Sequence, residues 1–242
     1  MIELIAFLGN PGREYSRNRH NAGFLLAEKL PFYDSLSWQK KFKGLYSVMD
    51  AGFLADYMPR VPVPMDGALD NGSLAETASL TGAAGKDAGS RETATRLHFI
   101  MPQTYMNLSG EPVHQASSFF KIKPESILVV HDELELPLGT ISLKWGGGLG
   151  GHNGLRSMKA CFGSADFWRI RIGIGRPDNR APGEGGRPGS GEGIVDWVLS
   201  DFSPPEREIL EGILEASSAL LLRVLAEGPQ SLLKEFGKKK LL

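Results

Sequence analysis

The sequence predicts a single α/β domain built on a central mixed, largely parallel sheet flanked by helices. Three observations carry that prediction. Short apolar runs suited to buried strands alternate with segments whose apolar residues recur at helical spacing. At 242 residues and 41% hydrophobic content, the chain can bury one large core. Polar residues gather just beyond the apolar runs, where an open α/β sheet collects its sites.

The elements follow in order. IELIAFLG (2–9) is an apolar run closed by the Pro11-Gly12 turn and reads as a buried first strand. NAGFLLAEKL (21–30) has helical apolar spacing, and GLYSVMDAG (44–52) and LHFIMP (97–102) read as strands. SGEPVHQASSFFKI (109–122) reads as a helix, and SILVVHD (126–132) as a strongly apolar strand that ends in polar residues. TISLKW (140–145) is a further strand, followed by the glycine run GGGLGG (146–151), the helix GLRSMKACF (154–162) and the strand WRIRIGIG (168–175). From Pro204 onward the chain reads as helical. Residues 59–95 are rich in small, polar, Gly and Pro residues and are expected to be a surface insertion in the one domain of 1–242. Residues 178–193, DNRAPGEGGRPGSGEG, are expected to be a flexible loop.

Composition bounds the function. No apolar run approaches the roughly 20 residues of a membrane-spanning helix, and MIELIAFLG lacks the marks of a signal peptide, so a cytoplasmic protein is expected. The single cysteine, Cys161, cannot form an internal disulfide and reads as a buried structural thiol. The formal net charge of −1 does not announce a nucleic-acid binder. The cations are nevertheless clustered: Arg13, Arg17 and Arg19 precede His20, Lys144 stands just before the glycine run, and Arg169, Arg171 and Arg176 mark a later strand. Such patches bind phosphates even on a neutral protein. Lys238, Lys239 and Lys240 read as a solubilising tail.

Candidate chemistry lies at the strand ends. His20 follows the loop after the first strand, Asn107 follows LHFIMPQTYM, Asp132 ends SILVVHD, and His152 and Asn153 follow the glycine run. A doubly wound sheet would bring these distant residues together at one edge. A histidine with a carboxylate partner makes a general-base site, because the carboxylate sets the tautomer and stabilises the imidazolium. Asparagine amides can hold a carbonyl, a hydroxyl or a water. His98, His114 and His131 read as structural or solvent-facing.

Other chemistries fit less well. No GxSxG stands in a strand-turn-helix context, and the five histidines show no metal-ligand spacing on one helix face. GAAGKD in the insertion lacks the remaining residues of a phosphate-binding P-loop. GGGLGG satisfies GxGxxG, yet the following strand ends in Arg176 rather than the acidic residue that would hold a ribose. The glycines would still let a backbone approach a ligand closely and leave N–H groups open at a helix start.

The blocks LGNPGREYSRNRHNAG, MPQTYMNLSG, HDELELPLG, LKWGGGLGGHNGLRS and RIRIGIGRP, in this order, resemble the bacterial-type peptidyl-tRNA hydrolase family. The resemblance implies that family's fold and hydrolysis of the ester joining a peptide to tRNA, with no metal or cofactor and with a monomer as the working form. It implies that His20 is the general base, that Asp132 supports it, and that Asn10 helps to distinguish N-blocked substrates. Tyr15, Tyr105, Asn107 and Asn153 would contact the 3′ end of tRNA or the ester-bearing group, with His152 beside them. Lys144 and Arg171 would form a basic patch for a tRNA phosphate, and His20 would stand at the strand-end crevice rather than in the core. A non-catalytic RNA-binding or docking relative stays open, although it would be free to lose the intact set Asn10, His20, Asn107, Asp132 and Asn153.

Overall fold

A computed structural model describes residues 1–57, 96–177, 191–237 and 239–240. The insertion at 59–95 and the loop up to residue 190 lie outside the described residues.

Eight strands form one sheet in the order β2-β3-β4-β1-β5-β7-β6-β8. The strands are β1 (Leu4–Phe7), β2 (Gln39–Lys41), β3 (Gly44–Asp50), β4 (Arg96–Pro102), β5 (Ile127–Glu133), β6 (Thr140–Trp145), β7 (Trp168–Gly173) and β8 (Lys239–Lys240). The sheet is parallel through its centre, where β1 pairs with β4 and β5 and where β5 pairs with β7. It is antiparallel at both edges, through β2–β3–β4 on one side and β7–β6–β8 on the other. The central strands are apolar without alternation because helices cover both of their faces: all of LIAF in β1 and all of ILVVHDE in β5 is buried.

Helices α1 (Ala22–Glu28), α5 (Pro204–Glu227) and α6 (Pro229–Phe236) share one apolar cluster with Ile5, Phe7, Leu128 and Ile170. Helices α2 (Gly110–Phe120) and α3 (Asn153–Phe162) close the other face over Leu4, Ala6, Ile127 and Val129. Left-handed residues, Lys121 at φ 59° and Gly163 at φ 74°, stop α2 and α3. Gly23 lets α1 lie directly on the sheet, since a Cβ there would sit 2.4 Å from Leu8 O and 2.8 Å from Val130 O.

Three elements differ from the sequence-based expectation. Helix α4 (Gly191–Leu199) starts inside the stretch 178–193 that reads as a loop, so residues 191–193 are helical. Lys239 and Lys240 form β8 against β6 rather than a free tail. The strand β2, QKK, is wholly exposed and has no apolar residue to announce it. Cys161 is only half-buried, on α3.

Candidate active site

The carboxyl ends of the paired parallel strands β1, β4 and β5 lie side by side, and the segments that follow them meet there. Asn10 stands three residues past β1, a one-turn 3-10 segment (Arg19–Asn21) carries His20, and Asp132 is the penultimate residue of β5. A second such turn (Met106–Leu108) follows β4, and α3 begins at Asn153 after the glycine loop.

Two histidines share Asp132. His20 Nδ1 lies 2.9 Å from Asp132 Oδ1 and 3.0 Å from Oδ2. His152 Nε2 lies 3.0 Å from the same Oδ1. The His152 tautomer follows from its other nitrogen: Nδ1 accepts from the Gly154 N–H at 3.1 Å and the Leu155 N–H at 3.4 Å, so Nε2 carries the proton. His152 is thus both the N-cap of α3 and a donor to Asp132. The helix-start N–H groups that the glycine run promised to a ligand are taken by this imidazole, which overturns that expectation.

His20 itself is only 7% exposed, so it is buried, against the expectation that it stands clear of the core. Burial pushes its pKa down, but the charge of Asp132 and the hydrogen bond to it outweigh burial, and the net shift is upward. Burial would push the Asp132 carboxyl up, yet His20 and His152 together hold it far below the usual carboxylate range. His20, Asp132 and His152 also offer one ligand atom each within 4.8 Å of one another, a donor set of the kind that divalent metals take. The 2.9 and 3.0 Å separations are those of N–H···O hydrogen bonds and satisfy the carboxylate without an ion.

Asn10 is 6% exposed and clamped by Asn21, a residue the sequence reading passes over. The Asn10 N–H donates to Asn21 Oδ1 at 2.8 Å, and Asn21 Nδ2 donates to Asn10 O at 3.0 Å. Asn10 Oδ1 in turn accepts from the Met106 N–H at 2.7 Å, so its amide N–H₂ is the end left for the crevice. Tyr105, Asn107 and Asn153 stand exposed around this buried centre. Tyr105 meets Tyr15 edge-on at 6.4 Å, a pair of aromatic faces on the rim.

The predicted basic patch lies under the glycine loop. Lys144 faces Arg169 and Ser142 faces Arg171 across β6 and β7. Arg171 donates to Ser142 Oγ at 2.7 Å and to Glu133 Oε2 at 3.4 Å. Arg169 is 1% exposed and donates to Gly148 O at 2.9 Å, which ties the glycine loop to the sheet. Burial and the neighbouring cations Arg171 and Arg169 lower the Lys144 pKa, with Glu133 the one opposing carboxylate.

The other histidines are structural or surface groups. His98 pairs with the Tyr46 hydroxyl at 2.7 Å, and His131 Nδ1 donates to Asp132 O at 2.6 Å. His114 is exposed. Arg19 overturns its expectation: it is 3% exposed and does not face outward with Arg13 and Arg17.

Residues 4–56 and 70–241 match the sequence profile of a family described as peptidyl-tRNA hydrolase. The chain belongs to the peptidyl-tRNA hydrolase family. A peptidyl-tRNA hydrolase of Treponema pallidum (strain Nichols) is 37% identical over 244 residues, covering 100% of this chain and 97% of that protein. A crystal structure of a peptidyl-tRNA hydrolase from Acinetobacter baumannii superposes at a TM-score of 0.65 with 30% identity, covering 98% of this chain and 96% of that one. A peptidyl-tRNA hydrolase in complex with N-propanol gives 0.68 at 30% identity, with 98% and 94% covered. Peptidyl-tRNA hydrolases are ester hydrolases, and as a member of the family this chain is such an enzyme. Among its described residues no helix is long and apolar enough to cross a membrane.

Proposed function

We propose that the chain hydrolyses the ester between peptide and tRNA by general-base catalysis, with His20 as the base and Asp132 as its support. The observation that carries this reading is the hydrogen bond of His20 Nδ1 to a buried carboxylate, which leaves Nε2 as the nitrogen free to act as a base. Nε2 takes a proton from water as the water attacks the ester carbonyl. Asp132 stabilises the imidazolium that forms, and the proton then passes to the leaving ribose oxygen. The Asn10 amide and the exposed Asn107 and Asn153 amides supply N–H donors for the substrate and for the oxyanion that develops.

Substrate recognition is divided. Tyr15 and Tyr105 offer stacking faces to the unpaired 3′ end, and base–aromatic stacking contributes about 1–3 kcal/mol per base. Lys144 meets a backbone phosphate, and Arg171, held beside it through Ser142 and a long 3.4 Å contact to Glu133, adds its positive charge to the same patch. We read His152 as acting on Asp132 rather than on tRNA, since both of its ring nitrogens already have partners. The continuous sheet supports reading 1–242 as one domain.

The test is release of an N-blocked amino acid from tRNA. His20→Ala is expected to abolish most turnover, with a loss on the order of 10²- to 10⁴-fold for a positioned base, while leaving tRNA binding near normal. Undiminished hydrolysis by that variant refutes the reading.

A further inference from the structure

We propose that Arg19 is a positioning residue for this reaction, a buried clamp that fastens the His20 turn to the junction of α4 and α5. The inference rests on the reading of His20 as the base. In the sequence Arg19 is one of three arginines before His20 and looks like a phosphate contact. Its surroundings contradict that role. Arg19 Nη2 donates to both Glu206 oxygens, at 2.8 and 2.7 Å. Nη1 donates to Ser200 Oγ at 2.9 Å and to the carbonyls of Ser200 and Asp201. The guanidinium plane lies over the Trp197 ring, 3.8 Å from its centroid. Both terminal nitrogens are therefore committed to protein, and none is left for a phosphate fork.

The backbone repeats the attachment: the Arg19 N–H donates to Ser200 O at 3.1 Å, and Asn18 bridges to Asp201. The clamp is anchored at its far side too, because Trp197 Nε1 donates to Gly175 O at 2.8 Å, just past β7. Arg19, His20 and Asn21 occupy one 3-10 turn with three ties. Asn21 holds Asn10 beyond β1, His20 holds Asp132 on β5, and Arg19 holds α4 and α5. Two ties reach the sheet from the crevice side. Among the described residues the third closes the turn from outside, and loosening it lets the turn pivot and lengthen the contact of Nδ1 with Asp132.

The expected signature is kinetic rather than affinity-based, because the hydrogen bonds of the Arg19 guanidinium go to Ser200, Asp201 and Glu206 and none goes to Lys144, Arg171 or the strands that carry them. Arg19→Lys keeps the charge but loses the bidentate, stacked fork. Its kcat is expected to fall about 10- to 100-fold, the scale of a misplacement near 1 Å, with KM for N-blocked aminoacyl-tRNA little changed. The acid limb of its pH–rate profile moves to lower pH as His20 loses the support of Asp132. Glu206→Gln, at a carboxylate 25% exposed, gives a smaller shift in the same direction and keeps the test open where Arg19→Lys does not fold. Variants that melt earlier but keep kcat and the acid limb overturn the inference. So does weaker tRNA binding with unchanged kcat, which would return Arg19 to RNA contact. His20→Ala in the same assay separates the two readings: if it retains turnover the base assignment fails, and if it alone loses turnover the clamp fails.

Discussion

Replacing Asp132 with asparagine tests the centre of the site, because the carboxylate accepts from two N–H donors at once. His20 Nδ1 and His152 Nε2 both address Oδ1, at 2.9 and 3.0 Å, and Oδ2 also meets His20 at 3.0 Å. An amide has one acceptor oxygen and one N–H₂. With its oxygen at the Oδ1 position it still accepts from His152, but the N–H₂ at the Oδ2 position, 3.0 Å from His20 Nδ1, aims a hydrogen at that nitrogen and favours the tautomer in which Nδ1 accepts and the proton sits on Nε2, where the base is lost. With the amide reversed, N–H₂ opposes the His152 N–H, and His152 cannot change tautomer because Nδ1 caps α3. Either arrangement breaks one contact. An aspartate-to-asparagine change behind a catalytic histidine costs about 10⁴ in kcat through the wrong tautomer. A loss of about 10³- to 10⁴-fold is expected here, equivalent to about 4–5.5 kcal/mol of transition-state stabilisation. The pH profile supplies a second readout. In the native enzyme Asp132 outweighs burial and raises the His20 pKa, so the acid limb of kcat/KM is expected above the usual 6.5. In the variant burial acts unopposed, and whatever activity remains extends to lower pH. A loss under about tenfold with the acid limb in place would refute the assignment of Asp132.

The remaining predictions address binding and packing. Lys144→Ala and Arg171→Ala are each expected to weaken tRNA binding and to flatten the plot of log K against log salt by about 0.7–0.9 per lost phosphate contact, measured by titration at several ionic strengths. Gly23→Ala is expected to lower stability by about 1–3 kcal/mol or more, read from denaturant melts, because its Cβ would meet backbone atoms of Leu8 and Val130 at 2.4–2.8 Å.

What the sequence reveals depends on how local the signal is. β1, β4, β5, β6 and β7 are legible because each is an apolar run bounded by turn residues, and the helices through Val113 and Leu155 because apolar positions recur every three or four residues. β2 is illegible because it is exposed, polar and three residues long, and it exists through pairing with β3. Its hairpin turn places Phe42 and Lys43 at φ 54° and 53°, where turn chemistry would favour Asn or Gly, so the usual signal is missing. α4 is obscured because it begins in a glycine-rich stretch. At the site, residue types and strand-end positions single out His20, Asp132 and Asn153. The partners that define Asn21, His152 and Arg19 cannot be read in advance. A buried arginine differs from an exposed one only through Ser200, Asp201 and Glu206, more than 180 residues later.

Under the proposed function the groups that would make the reaction fast are buried and those that would meet the substrate are exposed. Gly154 brings the start of α3 so close to Met106 and Leu8 that a Cβ would lie 2.6 Å from Met106 Sδ and 2.9 Å from Leu8 Cδ1. The Met106 N–H holds Asn10, Asn10 holds Asn21, and Asn21 shares a turn with His20, while His152 returns from α3 to Asp132. The ring of contacts closes on itself, and a shift in one member displaces the rest. Such a ring holds a base in one tautomer at low reorganisation cost, which is where electrostatic catalysis gains most. Tyr105, Asn107 and Asn153 stand exposed beside that same ring, so on the proposed reading the substrate would be gripped by the exposed side of the elements whose buried side orients the histidine. Loosening any buried member should therefore lower kcat before it weakens tRNA binding.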